Sequence, residues 1–415
     1  IAVMDTMDHT VPASDVEVYL RMINNVSSEI MAEHSNLPAF FAELHTKRGG
    51  CDLQKKLGEL REPSREKCGY LYLIPNCVSS RVRLKLVGDA AALLLQRCVD
   101  PLVAIGLQND EYVKSLRPFL DRAWKLVLTN HAHDSVCGCS IDQVHRDMQG
   151  RFEQAQVIGQ QISHQVIAGM TSKCPELAQD RDEFTLILFN PLLCQRNETV
   201  EFDIDFPTDY PARFHEGFRS QDIFAFTIDD ADGNPVPYQR LSITPGINER
   251  SKLARYCHIS EGLFDRYRIA AKIDLPAFGY TSLRVKPSLR PVRALGSMRT
   301  GPASAENDYL AIQIESNGTL ALKDKVSGES YKDLLLFEDC VETGDGWFHG
   351  SSVNGSDILS SASSAIVSVL HDGPELVTFS VAVRLTVPKR YNWHSERPID
   401  SMAELLLSSE ITLRR

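Results

Sequence analysis

The sequence predicts a multidomain α+β chain: the tail of an α/β domain, a helical bundle, then antiparallel β domains. Three observations carry this reading. A strand-like start, Ile1–Met4, runs through a polar loop into an amphipathic helix. Apolar residues then recur at spacings of three and four over most of residues 51–178. From Phe184 the period drops from 3.6 to 2. A chain of 415 residues is also too long for one ordinary core.

Each element follows from its residues. Ser14-x-x-Glu17 has the form of a capping box, and Val16, Leu20, Ile23, Val26 and Ile30 form one apolar face after it. A polar stretch around Lys47-Arg48-Gly49-Gly50 ends this first segment, residues 1–49. In residues 50–178, Ser79-Ser80 can cap a helix through Leu84, Val87, Ala91 and Leu94. A second helix carries Val113, Leu116, Leu120, Ala123 and Val127. A third opens on Ser140-x-x-Gln143 and runs through Val144, Met148, Phe152, Ala155, Ile158, Ile162 and Val166. Three apolar faces predict a three-helix bundle. His145 reads as an ordinary surface or packing residue of the third helix.

Residues 184–286 read as a small antiparallel β domain. Phe184–Phe189 is an apolar strand stopped by Asn190-Pro191, and Val200–Phe206 alternates. Asp232-Gly233-Asn234-Pro235 is a turn, and Leu275–Gly279 turns between strands at Tyr267–Ile273 and Tyr280–Val285. Pro287, Pro291, Gly296, Gly301 and Pro302 mark residues 286–307 as a linker. A second β region, 308–415, opens on a hairpin around Ser316-Asn317-Gly318.

Composition excludes several classes. Hydrophobic residues are 43% and charged residues 24%, the balance of a folded soluble protein. No apolar run approaches the roughly 18–20 residues of a membrane span. Asp and Glu number 55 against 44 Lys and Arg, a net charge of −11, so nucleic acid is not an expected partner. The ten cysteines stand singly except Cys137 and Cys139, neither a disulfide scaffold nor a CxxC zinc knuckle. A reducing cytoplasm is the simplest compartment, and homo-oligomerisation is left open. Ile1 opens on a strand in progress and Ser409–Arg415 ends on one, with no signal peptide visible. The expectation is a fragment cut from a longer chain.

Three segments could carry chemistry. Asn130-His131-Ala132-His133-Asp134-Ser135-Val136-Cys137-Gly138-Cys139-Ser140 joins two helices and concentrates zinc-type donors. His131 and His133 point the same way if extended and roughly 200° apart if helical. A helix-linking turn whose polar groups cap a neighbour explains the segment equally well. Asp5-Thr6-Met7-Asp8-His9 follows a strand, where catalytic carboxylates of α/β enzymes sit, though turn aspartates look the same. Thr343–Gly350 carries Trp347 and Phe348, either a sugar-stacking platform or a packed loop. No P-loop, dinucleotide fingerprint or Gly-x-Ser-x-Gly elbow is present.

Asn130–Ser135, followed by Gly138-Cys139-Ser140-Ile141-Asp142-x-Val144-His145, resembles the motif of family 38 glycoside hydrolases, zinc-dependent retaining α-mannosidases. The likeness is greatest to the bacterial branch that includes mannosylglycerate hydrolases. It extends to Met7-Asp8-His9, Pro75-x-x-x-Ser79-Ser80-Arg81, Leu188-Phe189-Asn190-Pro191 and the Asn317-Gly318 hairpin with Asp324-Lys325-x-Ser327-Gly328. The resemblance implies the tail of an α/β barrel-like catalytic domain, a helical bundle and β-sandwich domains. It implies hydrolysis of an α-mannoside, mannosylglycerate or oligomannose, with Zn2+ as cofactor. His133 matches a zinc ligand, Asp134 a group that hydrogen-bonds sugar hydroxyls, and Asp8 the general acid/base. Trp347 falls where the family places an aromatic residue, usually Tyr. The family's other zinc ligands and its nucleophile match no position here, so the chain alone is expected to be inactive and to bind zinc poorly. Two other readings stay open: a non-catalytic carbohydrate-binding module, and a zinc hydrolase of different chemistry.

Overall fold

The structure is a computed structural model. It describes residues 11–415 except 12, 27, 48, 50–56, 58–73, 75, 107–110, 173–181, 216–221, 248–262, 291, 293, 348–349, 351–353 and 356. Two compact units divide the chain, Ile1–Arg61 and Glu62–Arg415. The first holds α1 (Val16–Val26) and α2 (Leu37–Lys47). The α1 face stops short of Ile30. The Asn24 amide pairs with both backbone groups of Ala32, at 2.9 and 2.6 Å, and turns the chain. Asn36 caps α2 by accepting the Ala39 amide at 2.9 Å. Neither helix buries a residue.

The second unit opens with a helical half built on the predicted apolar stripes. After α3 (Asn76–Ser79), α4 (Val82–Leu94) passes through a π turn, Leu95–Val99, into α5 (Asp100–Gly106). Pro101 lacks the amide that would continue the α ladder there, which accounts for the wider turn. The expected second helix is broken at Leu116, ahead of Pro118, into α6 (Glu111–Ser115) and α7 (Arg117–Thr129). The five-residue α8 (His133–Cys137) precedes the long α9 (Asp142–Thr171). Ala91, Leu95, Leu102, Leu120, Val127, Met148, Phe152 and Val166 share one core. His145 proves to be buried within α9, 5% exposed, so it is a packing residue.

Two expected caps are not made. The residue before α4 is Arg81, in the left-handed conformation (φ 51°, ψ 45°), and no side chain caps that helix. α9 starts after extended Ile141, again without a side-chain cap. The Arg81 guanidinium instead bonds the Asp142 carboxylate at 2.5 Å, joining the two helix starts. An acidic group in the first turn of α9 also suits its dipole.

From Phe184 to Arg415 the described residues form strands, turns and one 3-10 turn, as the period-2 pattern requires. The first eight strands are β1 (Phe184–Asn190), β2 (Arg196–Pro207), β3 (Arg213–His215), β4 (Asp222–Phe224), β5 (Phe226–Asp229), β6 (Tyr238–Ile247), β7 (Phe264–Leu275) and β8 (Gly279–Pro287). They form antiparallel sheets β1-β8-β5 and β2-β7-β6, with the pair β3-β4. The two larger sheets enclose a core around Phe206, Phe226, Tyr267 and Val285. Asn190 pins the end of β1: its side-chain NH2 donates to the Cys194 and Pro276 carbonyls at 2.8 and 2.9 Å. Phe189 packs on the helical core.

No strand falls among the described residues of 288–298, but the expected linker, 286–307, also holds the end of β8 and two strands of the next sheet, at 299–301 and 304–306. β9 (Arg299–Gly301), β10 (Ser304–Glu306), β11 (Leu310–Ile314), β12 (Leu320–Asp324) and β13 (Ser330–Leu334) form that sheet. The Asn-Gly hairpin joins β11 to β12 with Gly318 at φ 87°. The pair β14 (Glu338–Asp339) and β15 (Ile358–Leu359) brackets the Trp347 loop. β16 (Ala365–His371), β17 (Leu376–Pro388) and, past the short hairpin β18 (Tyr391–Asn392) and β19 (Arg397–Pro398), β20 (Met402–Arg414) make a sheet that shares its core with β10–β12. Gln239 clasps the two β regions: its amide donates to the Leu376 carbonyl at 3.0 Å and accepts the Glu375 and Leu376 amides. No helix among the described residues is long and apolar enough to cross a membrane.

Candidate functional site

The donor-rich segment lies at a corner where α3, α8 and the loop before β15 meet. Asn130 closes α7 and is fully buried; its side chain donates to the Met148 carbonyl at 2.9 Å and accepts from Arg151 at 3.2 Å. These bonds fix where the connector leaves the helical core. His131 then lines a cavity of about 170 Å3 with Arg81, Lys85 and Met148, while His133 opens α8. The segment is neither fully extended nor helical across the two histidines, and they part company.

His133 and Asp134 point to solvent, with side chains 88% and 62% exposed and Nε2 3.7 Å from Oδ1. α8 is held from behind. Gly138 ends it at φ 86°, and a Cβ there would stand 3.0 Å from the Ser80 carbonyl oxygen. The Gly138 carbonyl accepts from Arg81 Nε at 3.1 Å and from the Ser80 hydroxyl at 3.3 Å. Lys85 donates to the carbonyls of Cys137, at 3.1 Å, and Ser80. Burial holds this ammonium below the usual lysine range.

The 345–347 loop docks on the same corner. Asn76 bonds both ends of it, its amide to the Trp347 carbonyl at 3.3 Å and its side chain to the Asp345 carbonyl at 2.8 Å. The Cys77 thiol donates to the Gly346 carbonyl between them at 3.4 Å. Glu342 closes the loop's neck by accepting the Gly344 and Gly350 amides at 2.6 and 2.7 Å. Trp347 is left 44% exposed. Thus Trp347, His133 and Asp134, more than 200 residues apart in sequence, belong to one corner of the fold. Asp8 lies outside the described residues, as do Phe348, His349 and the rest of the Asp5–His9 loop.

Sequence reasoning missed the residues that build this corner. Ser80, Arg81 and Lys85 hold carbonyls of the α8 turn, and none of them caps α4. Their signal was a cation and hydroxyls near a helix start, which reads equally as a cap. A catalytic zinc takes about three protein ligands. Among the described residues no group of three or more His, Cys, Asp or Glu side chains is placed to hold a metal. The exposed His133 imidazole fits one corner of such a site and no more. A larger hollow of about 380 Å3, lined by Gln239–Ile243 and Leu370–Asp372, lies between the β regions and contains none of the expected site residues.

The chain is similar to known proteins over most of its length. Residues 75–170 match the alpha mannosidase middle domain, a span that takes in α3 through most of α9. A Halalkalibacterium halodurans protein carrying the provisional name mannosylglycerate hydrolase is 24% identical over 99% of this chain and 47% of its own length. An alpha-mannosidase from Enterococcus faecalis V583 superposes with a TM-score of 0.70 at 20% identity, over 97% of this chain and 47% of that one. A glycosyl hydrolase family 38 protein from Enterococcus faecalis gives 0.69 at 19% identity, over 98% and 48%. Residues 75–170 are therefore similar to an alpha mannosidase middle domain, and the chain shares the fold of these two structures. It spans about half the length of each of these relatives.

Proposed function

We propose that this chain is part of a zinc-dependent, retaining α-mannosidase that hydrolyses α-mannosides such as mannosylglycerate or oligomannose. The observation that carries the reading is the solvent-facing His133–Asp134 pair at the start of α8, on the corner where the Trp347 loop docks, inside the matched middle domain. On this reading residues 1–49 are the tail of a barrel-like catalytic domain, 50–178 a helical bundle, 184–286 a small β domain and 308–415 the start of a larger sandwich. His133 is one zinc ligand, with its partners outside the described residues. The metal, when bound, supplies positive charge beside adjacent mannose hydroxyls. Asp134 accepts hydrogen bonds from those hydroxyls, and Trp347 offers an aromatic face. Asp8 is the general acid/base of a double displacement, one of two carboxyl groups about 5–5.5 Å apart.

The test uses the intact protein on aryl and alkyl α-mannosides. Asp8→Asn slows methyl α-mannoside hydrolysis far more than that of a dinitrophenyl mannoside, whose leaving group departs unprotonated, and azide restores part of the turnover. Asp134→Asn removes a charge-assisted hydrogen bond of about 1.5–3 kcal/mol, lowers kcat/KM about 10- to 150-fold on both substrates, and is not rescued. Folded protein with no activity on any α-mannoside overturns the enzyme reading in favour of a carbohydrate-binding module. Activity on esters or phosphates instead makes it a different hydrolase.

A further inference from the structure

The hairpin β18–β19 presents the most exposed of the chain's three tryptophans. Trp124 spends its indole N–H on the Asp100 carboxylate at 3.0 Å. Trp347 belongs to the candidate site, and Trp393 is 66% exposed. Tyr391 braces Trp393 edge to face, with ring centroids 5.1 Å apart and planes at 79°. The backbone that carries the ring is fixed as well. Strand pairing of Tyr391 with Pro398 and of Asn392 with Arg397 closes the hairpin. The Asn392 side-chain oxygen accepts the His394 and Ser395 amides at 3.0 and 3.4 Å. The carbonyl of Glu396, a residue at φ 49°, accepts from the Asn354 side-chain amide at 3.1 Å. Asn354 follows Gly350 by four residues, a reach of at most about 14 Å. Gly350 closes the neck of the Trp347 loop on Glu342. The hairpin is therefore moored close to the loop that docks on the candidate site.

Single exposed aromatics are ordinary on a protein surface. A ring left merely to solvent, however, needs neither a brace nor a pinned backbone. The residues beside it narrow what it can bind. The turn Asn392–Arg397 has no second apolar side chain: next to the indole it offers an amide, an imidazole, a hydroxyl, a carboxylate and a guanidinium. An aromatic anchor for a protein partner sits instead in a packed, desolvated patch. A pyranose ring fits the hairpin better, because one face of C–H groups lies on an aromatic plane while its rim of hydroxyls takes hydrogen bonds. The Trp393 indole N–H meets no acceptor among the described residues, so it is available to one such hydroxyl.

We propose that the Trp393 hairpin is a carbohydrate-binding platform outside the corner of His133, Asp134 and Trp347, on which the indole stacks against one sugar ring of an α-mannose oligosaccharide. A chain of several sugars would be gripped here at a ring remote from the one held by the corner. That the ligand is a sugar follows from the hairpin; that its sugar is α-mannose rests on the function proposed above.

The experiment treats the intact protein with N-bromosuccinimide, which oxidises exposed indoles, and maps each tryptophan by mass spectrometry with and without an α-linked mannohexaose. A β-linked cellohexaose is the second arm. Calorimetric titration gives the affinities. The expected result is that mannohexaose shields Trp393 from oxidation and cellohexaose does not. Trp393→Ala should weaken mannohexaose binding about 2- to 10-fold. Trp393→Phe, which keeps a smaller ring, should lose less, and both variants should keep the parent unfolding midpoint because the indole is mostly exposed. Trp393 oxidised at the same rate with either oligosaccharide, or an affinity unchanged in Trp393→Ala, overturns the platform. Shielding by cellohexaose alone keeps the platform and overturns its α-mannose ligand. None of these readouts requires turnover, so a protein without mannosidase activity still decides whether the hairpin binds sugar.

Discussion

Replacing Gly138 by Ala tests the account of how α8 is held. Gly138 sits at φ 86°, a conformation that costs an L residue roughly 1–2 kcal/mol. Its added Cβ would also meet the Ser80 carbonyl oxygen at 3.0 Å and the Ser80 hydroxyl at 3.1 Å. The first of these is backbone, so relief requires α3 or α8 to move, and crowding of this kind adds about 1–3 kcal/mol. Gly233 supplies the control: φ is 84°, and nothing lies within 4 Å of its Cβ position. Both substitutions restrict the unfolded chain alike, so that gain cancels in the comparison. Gly233→Ala should lose about 1–2 kcal/mol and Gly138→Ala about 2–5 kcal/mol. Urea unfolding followed by helical circular dichroism for Gly138→Ala, and by β-region tyrosine fluorescence for Gly233→Ala, measures each loss where it falls. Equal losses would refute the reasoning, since the Ser80 contact would then carry no energy.

Three further outcomes follow from the same geometry. Asn130→Ala removes one buried and one partly buried hydrogen bond and should lower the stability of the helical half by about 1–3 kcal/mol, read as a shift in urea midpoint. Burial, then Arg81, lowers the protonation range of His145. A value depressed on folding gives stability that is present above the unfolded value and lost as pH falls, so the helical half should weaken below about pH 6.5. His145→Leu should flatten that decline in thermal melts across acidic pH. Trp347→Ala should raise KM for an α-mannoside about 2- to 10-fold with unchanged unfolding midpoint, because half the ring already faces solvent.

The helical and β halves were legible because burial imposes a period on the residues that face a core. Leu120, Ala123 and Val127, or Met148, Phe152 and Val166, recur at helical spacing and are buried together. The Asn317-Gly318 turn was equally legible, since few residues satisfy its backbone conformation. Helix starts were not. Ser79, Ser80 and Ser140 suit caps, but the ion pair between Arg81 and Asp142 spans 61 residues, and no local pattern reports it. The parting of His131 and His133 was undecidable for a similar reason. It depends on where Asn130 binds α9, a contact across 18 residues that sets the phase of the connector.

The corner's construction also explains why so exposed a pair as His133 and Asp134 can be well placed. An exposed side chain has little packing to fix it, so its position must come from the backbone that carries it. Here that backbone is short and bonded at both ends. Asn130 fixes it to α9 before His131. Arg81, Ser80 and Lys85 take the carbonyls of Cys137 and Gly138 after it. The same α3 that supplies Asn76 and Cys77 to the Trp347 loop lies one residue from Ser80. A displacement at Ser80 therefore reaches both halves of the candidate site, whereas one at Gly233 reaches neither. The expected consequence is that Gly138→Ala perturbs amide exchange at 345–347 as well as in α8, although residue 138 makes no covalent or sequential connection to that loop.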